Sequence, residues 1–234
     1  MYRMNRRVTY SDVGTDYKTD MAQIINYFQD CSCFHSDSLG MNIKSMDSRG
    51  KVWIMNGWQI IVERYPEYGE EITVGTWPYD FKGPMGLRNF MIEDAEGNRI
   101  AKANSVWVFM DVSAGRPARI DEDMIEAYKM EPREDMDYAG RKIKASGNFE
   151  RMEAFRVTAD CLDTNRHVNN GRFVAMAQEY LPEHFKTRQL RVEYKHSAFH
   201  GDILIPKRQI ADGKVIIQIE NAEGTVCAVI EFAE

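Results

Sequence analysis

The chain contains an internal repeat, and this repeat constrains the fold more than any other feature of the sequence. Three pairs of similar segments occur in the same order in the two halves. The offset within a pair is 149 residues (8 to 157), then 132 (69 to 201), then 127 (92 to 219, where IEDAEG matches IENAEG). Falling offsets are expected of a duplication whose first copy has extra loop residues, which we place around 41–53. The repeat predicts two copies of one folding unit.

Each copy has the same predicted elements. Apolar residues recur at helical spacing over 21–34 and 171–181, each after a short strand and a loop. Turn residues at 93–98 and 211–214 predict hairpins. Runs rich in Val, Ile, Trp and Tyr predict strands at 58–66, 71–77, 88–94 and 100–111 in the first copy, and at 188–196, 202–210, 215–221 and 225–232 in the second. Because these strands succeed one another without intervening helices, we predict an α+β fold in which an antiparallel sheet packs against one long helix.

The repeat also suggests where the chain divides. We predict a first domain over 1–112 and a second over 149–234, joined by a linker over 113–148. The linker begins with Gly and Pro and contains many charged residues. One amphipathic helix is predicted at 119–130, with acidic residues in its first turns, where the helix dipole favours them.

Composition excludes several functional classes. The net charge of −6 argues against general nucleic-acid binding, which needs a basic surface. No apolar run approaches the roughly 18 residues of a membrane-spanning helix, and no apolar segment follows the basic N-terminus as in a secretory signal. The four cysteines show no CxxC spacing, so we expect reduced thiols in the core of a cytoplasmic protein: Cys31, Cys33, Cys161 and Cys227.

The segment DTNRHVNNGRF, residues 163–173, concentrates polar residues just before the second predicted helix. Asn169 or Asn170 is suited to cap that helix. Free N–H groups at a helix start favour a developing negative charge. His167 can donate a hydrogen bond or transfer a proton near neutral pH. Asp163 can act as a general base or nucleophile, with Asn165 orienting its partner, so the segment suits hydrolysis of an activated acyl compound.

The repeat allows this segment to be compared with its counterpart in the first copy. At the offset of 149, the positions of Asp163, Asn165 and His167 correspond to glycine, aspartate and lysine at 14, 16 and 18. The polar trio is therefore present in the second copy alone. This difference is expected if one copy performs chemistry and the other shapes the site, although a surface loop can also diverge without function.

Two other interpretations of the histidines are weaker. A metal could bind Asp163 and His167 with one of His184, His196 or His200, but no HExxH or paired Cys and His motif supports such a site. We expect His196 and His200 to lie at the surface, and His35 to cap the first helix or to lie at an interface.

The motifs resemble those of the acyl-acyl-carrier-protein thioesterases. DTNRHVNNGRFVAMAQEYLP is similar to that family's Asp-x-Asn-x-His-Val-Asn-Asn loop and following helix, YFQDCSCFHSDSLG resembles its first helix, and SAGRPARIDEDMIEAY resembles its interdomain segment. The resemblance implies two tandem hotdog domains and hydrolysis of the thioester between a fatty acyl chain and the phosphopantetheine arm of acyl carrier protein. It implies Asp163, Asn165 and His167 as catalytic residues, an acyl chain held in the first domain, and no cofactor or metal.

The sequence departs from the family pattern at one place. Members commonly have a Glu, sometimes followed by Cys, a few residues before a Gly-Asp pair. Alignment on Gly201 and Asp202 places Ser197 and Ala198 at those positions. A cysteine nucleophile is therefore excluded, and the supporting carboxylate is replaced by a hydroxyl.

These observations lead to one principal hypothesis and two alternatives. We expect a cytoplasmic thioesterase that ends fatty-acid elongation, acting as a monomer or a homodimer. An acyl-CoA thioesterase and a non-catalytic acyl-binding protein are the alternatives. Acyl carrier proteins are acidic, so basic residues of the second copy are candidate contacts, unless they are simply solvated strand residues: Arg188, Arg191, Lys195, Lys207 and Arg208.

Overall fold

The computed structural model describes residues 1–145, 147–211 and 213–234. The chain divides into two compact units, one of residues 1–56 and 60–138 and the other of residues 57–59 and 139–234. The predicted linker is therefore shared, with 113–138 clustering in the first unit. Residue 146 of the linker and residue 212 of the hairpin turn predicted at 211–214 lie outside the described residues.

The first unit is an antiparallel sheet with one long helix. Its elements are β1 (Tyr2–Arg7), α1 (Met21–Ser38), α2 (Ile43–Ser48), β2 (Lys51–Val62), β3 (Glu71–Lys82), β4 (Met85–Glu93), β5 (Arg99–Asp111), β6 (Arg116–Pro117) and α3 (Glu122–Tyr128). The strand order is β1-β3-β4-β5-β2, and β6 pairs with β5. The predicted helices at 21–34 and 119–130 and all four predicted strands are present.

The apolar face of α1 forms the core of this unit. Ile24, Ile25 and Phe28 are fully buried, and the Phe28 ring lies 5.1 Å from that of Phe90 on β4. Burying side chains of this size contributes about 1.5–3 kcal/mol each. Helical spacing therefore predicted α1 correctly, because the same residues that set the pattern are those that pack on the sheet.

The segment expected as extra loop, 41–53, instead contains α2 and the beginning of β2. The Asn42 side chain accepts a hydrogen bond from the N–H of Ser45 (2.9 Å) and so caps α2. Met46 is then buried in a second apolar cluster with Phe109 and Met124. A capping residue and one buried side chain were enough to order a segment without clear periodicity.

The second unit has the same architecture with a shorter helix. Its elements are β7 (Glu150–Arg151), β8 (Phe155–Arg156), α4 (Asn170–Gln178), β9 (Gln189–Tyr194), β10 (Ile203–Ala211), β11 (Lys214–Asn221) and β12 (Val226–Ala233). The strand order is β9-β12-β11-β10-β7, all antiparallel, and β8 pairs with β10. Phe173, Val174 and Ala177 form the buried face of α4. The helix stops short of the predicted residue 181, where Pro182 disfavours helical backbone.

The repeat is visible in the backbone of both units. Equivalent N–H groups donate to equivalent carbonyl groups at all three offsets: 12 to 9 (3.1 Å) and 161 to 158 (3.2 Å), 69 to 8 and 201 to 157 (both 2.9 Å), and 94 to 98 (3.1 Å) and 221 to 225 (2.9 Å). Gly97 and Gly224 have positive φ (84° and 82°) in the last pair, the hairpin turns of the matched segments. The fold is α+β with two tandem hotdog domains, as the sequence predicted.

Three further expectations have structural outcomes. Cys31, Cys161 and Cys227 are buried free thiols, whereas Cys33 is exposed, so the prediction of a core position was wrong for Cys33. It lies on α1 away from the apolar face. His35 is buried within the first unit instead of capping α1. No helix in the described part of the chain is long and apolar enough to cross a membrane.

Candidate active site

The loop that precedes α4 is closed by its own backbone and by the carboxylate of Asp163. The N–H of Asp163 donates to the carbonyl of His167 (2.8 Å), and Arg166 adopts the left-handed conformation (φ 62°). Asp163 Oδ1 accepts hydrogen bonds from the N–H groups of Asn165 (2.8 Å) and His167 (3.2 Å). This is an Asx turn, the structural role that Asp often has in a loop.

The equivalent loop of the first unit reaches the same conformation with other side chains. The N–H of Gly14 donates to the carbonyl of Lys18 (2.9 Å), and Tyr17 is left-handed (φ 63°). The N–H of Lys18 is capped by Asp16 Oδ1 (3.1 Å). The loop can therefore be built with glycine at the position of Asp163. Loop geometry alone does not require Asp163, Asn165 and His167 together.

The imidazole of His167 is held between two residues of the segment that precedes β10. His167 and Phe199 are partners in an antiparallel bridge, and their rings meet edge to face with centroids 5.0 Å apart. Ser197 Oγ lies 3.5 Å from His167 Nδ1. The side chain of His167 is half-buried, so the ring is fixed in position while part of it stays accessible.

Asp163 and His167 are brought together, and Asn165 is placed at the loop tip. Asp163 and His167 meet through the bond from the His167 N–H to the carboxylate. Across the described residues, no hydrogen bond between two side chains joins any of the three predicted site residues to another. Asn165 is exposed, whereas Asp163 is half-buried. A substrate entering over the loop would meet Asn165 first.

The start of α4 is fixed by a cap and by a buried tyrosine. Asn169 is the capping residue, since its side chain accepts from the N–H of Gly171 (2.8 Å), and Asn170 is the first helical residue. Tyr194 Oη donates to the carbonyl of Asn170 (2.8 Å). Burial raises the pKa of Tyr194, so its hydroxyl stays a neutral donor. The predicted cap is confirmed and assigned to Asn169, and the helix dipole favours negative charge beside the loop.

Two residues near the loop were not identified as site residues from the sequence. Phe199 contacts His167 only because two strand-like segments pair, and Tyr194 reaches α4 from β9. Neither belongs to the polar motif, so its spacing carried no signal for them. Ser197 could be found, because alignment on Gly201 and Asp202 had already marked its position.

Most of the basic residues considered as partner contacts are neutralised within the second unit. Four of the five form ion pairs: Arg191 with Glu231 (2.9 Å), Lys195 with Glu193 (3.5 Å), Lys207 with Glu220 (2.7 Å) and Arg208 with Glu150 (2.7 Å). Arg191 also donates to the carbonyl of Lys142 (3.0 Å), so it is a structural residue. Arg166 and Arg172, by contrast, are exposed at the loop and at the first turn of α4. Neither forms an ion pair with a described residue.

The metal interpretation has no structural support. Within 1–145, 147–211 and 213–234, no group of three or more His, Cys, Asp or Glu side chains is arranged to hold a metal ion. Asp163 and His167 therefore have no third ligand among these residues. The site consists of a carboxylate, an imidazole, an amide and a helix start, a set suited to acid–base chemistry at a carbonyl group.

Known thioesterases resemble this chain in sequence and in fold. The palmitoyl-acyl carrier protein thioesterase of Arabidopsis thaliana chloroplasts is 24% identical over 223 residues, covering 87% of this chain and 54% of that protein. The chain thus spans about half the length of the curated relatives it matches. An acyl-ACP thioesterase (ACP, acyl carrier protein) from Bacteroides thetaiotaomicron has the same fold, with a TM-score of 0.91 at 19% identity over 99% of this chain and 96% of that one.

A second solved structure, the 12:0-ACP thioesterase from Umbellularia californica, matches with a TM-score of 0.85 at 20% identity, again over 99% of this chain and 96% of that one. The family models of the acyl-ACP thioesterase N-terminal and C-terminal domains match residues 1–128 and 144–229. Both models occur in order and together cover most of the sequence. The chain belongs to the acyl-ACP thioesterase family.

Proposed function

We propose that the chain hydrolyses the thioester between a fatty acyl group and the phosphopantetheine arm of acyl carrier protein. The products are a free fatty acid and the carrier with a free thiol, so the reaction ends chain elongation. One observation carries the proposal. Two loops have the same backbone, and only the second has Asp163, Asn165 and His167. Family membership indicates which chemistry this trio performs.

In the proposed mechanism, Asp163 is the general base. Its Oδ1 is held by two backbone N–H groups, which leaves the other carboxylate oxygen to accept a proton from water. The water oxygen bonds to the thioester carbon, the C–S bond breaks, and the proton passes to the leaving thiolate. His167, Asn165 and the start of α4 stabilise the oxyanion, each donor contributing roughly 10²- to 10³-fold in rate.

Asp163 as nucleophile is the alternative mechanism, and isotope labelling separates the two. Under single-turnover conditions in ¹⁸O water, a general base gives fatty acid that carries the label in the first turnover. A nucleophilic carboxylate forms an anhydride, and attack of water on its aspartyl carbon releases acid that carries an unlabelled protein oxygen and leaves the label in Asp163. Mass spectrometry of the released acid and of the peptide containing Asp163 therefore distinguishes direct attack by water from an anhydride intermediate.

The proposal assigns different tasks to the two halves. The acyl chain is assigned to the N-terminal domain (1–112) and hydrolysis to the C-terminal domain (149–234), with 113–148 between them. The cytoplasm is the proposed compartment, since Cys31, Cys33, Cys161 and Cys227 are free thiols. A monomer is compatible with this assignment, because a tandem repeat already provides two copies in one chain, and a homodimer of chains is equally compatible.

The experiment that tests the function compares carriers. The same acyl chain is offered on acyl carrier protein and on CoA, and kcat/KM is measured for each by release of free acid. A higher kcat/KM on the carrier protein is the expected result. Preference for CoA would support the acyl-CoA thioesterase instead. Binding of both substrates without any release of acid would identify a non-catalytic acyl-binding protein.

A further inference from the structure

The backbone pairing of its neighbours places Ser197, an exposed residue, beside His167. The N–H of Val168 donates to the carbonyl of Ala198 (2.9 Å). The neighbouring residues His167 and Phe199 are partners in an antiparallel bridge. Asp202 stabilises the turn that follows, because its Oδ2 accepts a hydrogen bond from the N–H of Phe199 (2.8 Å). The position of Ser197 Oγ, 3.5 Å from His167 Nδ1, is therefore set by strand-like pairing. Catalytic hydrogen bonds are often this long before substrate binds.

The chemistry of a hydroxyl at this place differs from that of a carboxylate. A carboxylate can only accept, so it would require a proton on Nδ1 and would leave Nε2 as a base. It would also favour the imidazolium form of His167 by its charge. A serine hydroxyl is neutral and can either donate to Nδ1 or accept from it, so unlike a carboxylate it is compatible with a ring proton on Nε2. With the proton there, Nε2 offers an N–H to the substrate.

We propose that Ser197 is a positioning residue that makes His167 a neutral hydrogen-bond donor through Nε2, not a proton acceptor. The inference rests on the proposed function for its role in catalysis. It assigns proton transfer to Asp163 alone and oxyanion stabilisation to His167, which divides the two tasks between two residues. The hydroxyl favours this tautomer by donating to Nδ1, and it places no negative charge beside the ring.

Other groups around His167 contribute charge that the test must consider. Asp163 and Arg166 lie on the same loop, and the N–H of His167 is bonded to the Asp163 carboxylate. Charged or titratable residues also lie around the loop: Asp160 and Cys161 before it, Arg172 on α4, Tyr194 on β9, and Lys195, His196, His200 and Asp202 around the segment that carries Ser197. These residues are the same in every variant proposed below, so differences between variants report position 197.

The first readout is the tautomer of His167, observed through its ¹⁵N chemical shifts in histidine-labelled protein. The wild-type chain should show the proton on Nε2. Ser197→Glu should move it to Nδ1, because a carboxylate can only accept a hydrogen bond from the ring. Ser197→Thr keeps a hydroxyl and should resemble the wild type. A wild-type ring protonated on Nδ1, or a tautomer that Ser197→Glu leaves unchanged, would overturn the proposal.

The second readout is the pH profile of kcat. Because neutral His167 is the active form, Ser197→Glu should move the acid limb to higher pH, and Ser197→Thr should leave it in place. Ser197→Ala should lower kcat several-fold without moving the limb, since it removes the orienting hydroxyl and adds no charge. An acid limb that Ser197→Glu leaves in place would count against the proposal. The tautomer is measured without substrate, so its result stands or falls apart from that of the proposed hydrolysis.

Discussion

At position 163 the second loop has a carboxylate where the first loop has glycine. Both loops nevertheless have an equivalent backbone hydrogen bond and a left-handed residue at the equivalent position, Tyr17 or Arg166. The carboxylate of Asp163 caps two N–H groups of its loop, which is a structural role. Asp16 performs a similar role for one N–H in the first loop. A substitution at Asp163 must therefore separate its structural role in the loop from its proposed role in the reaction.

Asp163→Asn makes this separation. The amide oxygen can still accept from the two N–H groups, so the loop should keep its conformation, while the base is lost. We expect kcat to fall by about 10²- to 10⁴-fold with little change in Tm. Asp16→Asn is the matched control and should leave kcat unchanged. A wild-type kcat in Asp163→Asn would exclude Asp163 as base or nucleophile.

A second residue-scale prediction concerns His35. It is 8% exposed, and Arg88 lies 2.9 Å from its Nδ1. Burial, together with the Arg88 charge, lowers the pKa of His35 to about 3. The unfolded chain binds this proton near pH 6.5, so below that pH protons favour the unfolded state. Stability from neutral His35 is present above pH 6.5 and is lost as pH falls, at about 1.4 kcal/mol per pH unit.

Urea unfolding at pH 7 and pH 5 measures this effect. His35 alone should make the wild type about 2 kcal/mol less stable at pH 5 than at pH 7. His35→Asn removes the titrating group. The difference in unfolding free energy between pH 7 and pH 5 should therefore shrink by about that amount, whatever the stability of the variant at pH 7. An equal pH difference in both proteins would show that His35 is protonated in the folded state.

At the scale of elements, sequence periodicity predicted the helices and strands that pack in the core. It missed the short elements that have no repeating pattern. The α1 and α4 helices and the eight longer predicted strands follow patterns in which the same residues are buried in the structure. The α2 helix, the early start of β2 and the two-residue strands β6, β7 and β8 are too short to generate a period. The α2 helix is ordered by its cap, β6 by a short hairpin with β5, and β7 and β8 by pairing with the distant β10, none of which requires a repeating pattern.

The candidate site shows the same difference between residues that are close in sequence and contacts that depend on the tertiary fold. Asp163, Asn165 and His167 lie in one segment with the cap at Asn169, so the sequence alone marked them as candidates. Phe199 lies some thirty residues further along the chain, and its contact with His167 depends on tertiary pairing. For Ser197, the sequence marked the position, and only the structure gave the distance to the imidazole.

Helix caps provide a prediction at this scale. Asn169 caps α4 and Asp20 caps α1, where Asp20 Oδ1 accepts from the N–H of Gln23 (2.7 Å). Replacing either with alanine should cost about 0.5–2 kcal/mol of unfolding free energy. Asn169→Ala should also lower kcat, because α4 begins at the proposed site, whereas Asp20→Ala should not. Equal effects of the two variants on kcat would mean that the start of α4 has no part in the reaction.

At the scale of the whole molecule, a net charge of −6 is compatible with the proposed acidic partner only if exposed cations lie near the site. The ion-paired residues of β9 and β10 cannot provide them without breaking their pairs. Arg166 and Arg172 are exposed beside the loop. A carrier that delivers a thioester to Asp163 would pass over them.

Charge reversal tests this docking surface. Arg166→Glu and Arg172→Glu should raise KM for acyl carrier protein several-fold and weaken its salt dependence, with a small effect on KM for acyl-CoA. Lys186→Glu, before the start of β9 and away from the loop, is the matched control. Equal KM values for the carrier in the loop variants and in Lys186→Glu would place the docking surface elsewhere.

The proposed site depends on the side chains of the second loop and not on its backbone conformation, which the first loop shares. The most direct test gives the second loop the residues of the first, as the triple variant Asp163→Gly, Asn165→Asp and His167→Lys. Because Gly14, Asp16 and Lys18 support the same backbone, the variant should fold with a Tm near that of the wild type. Release of fatty acid from acyl carrier protein should fall by about 10⁴-fold or more. Wild-type release by the folded triple variant would contradict the account.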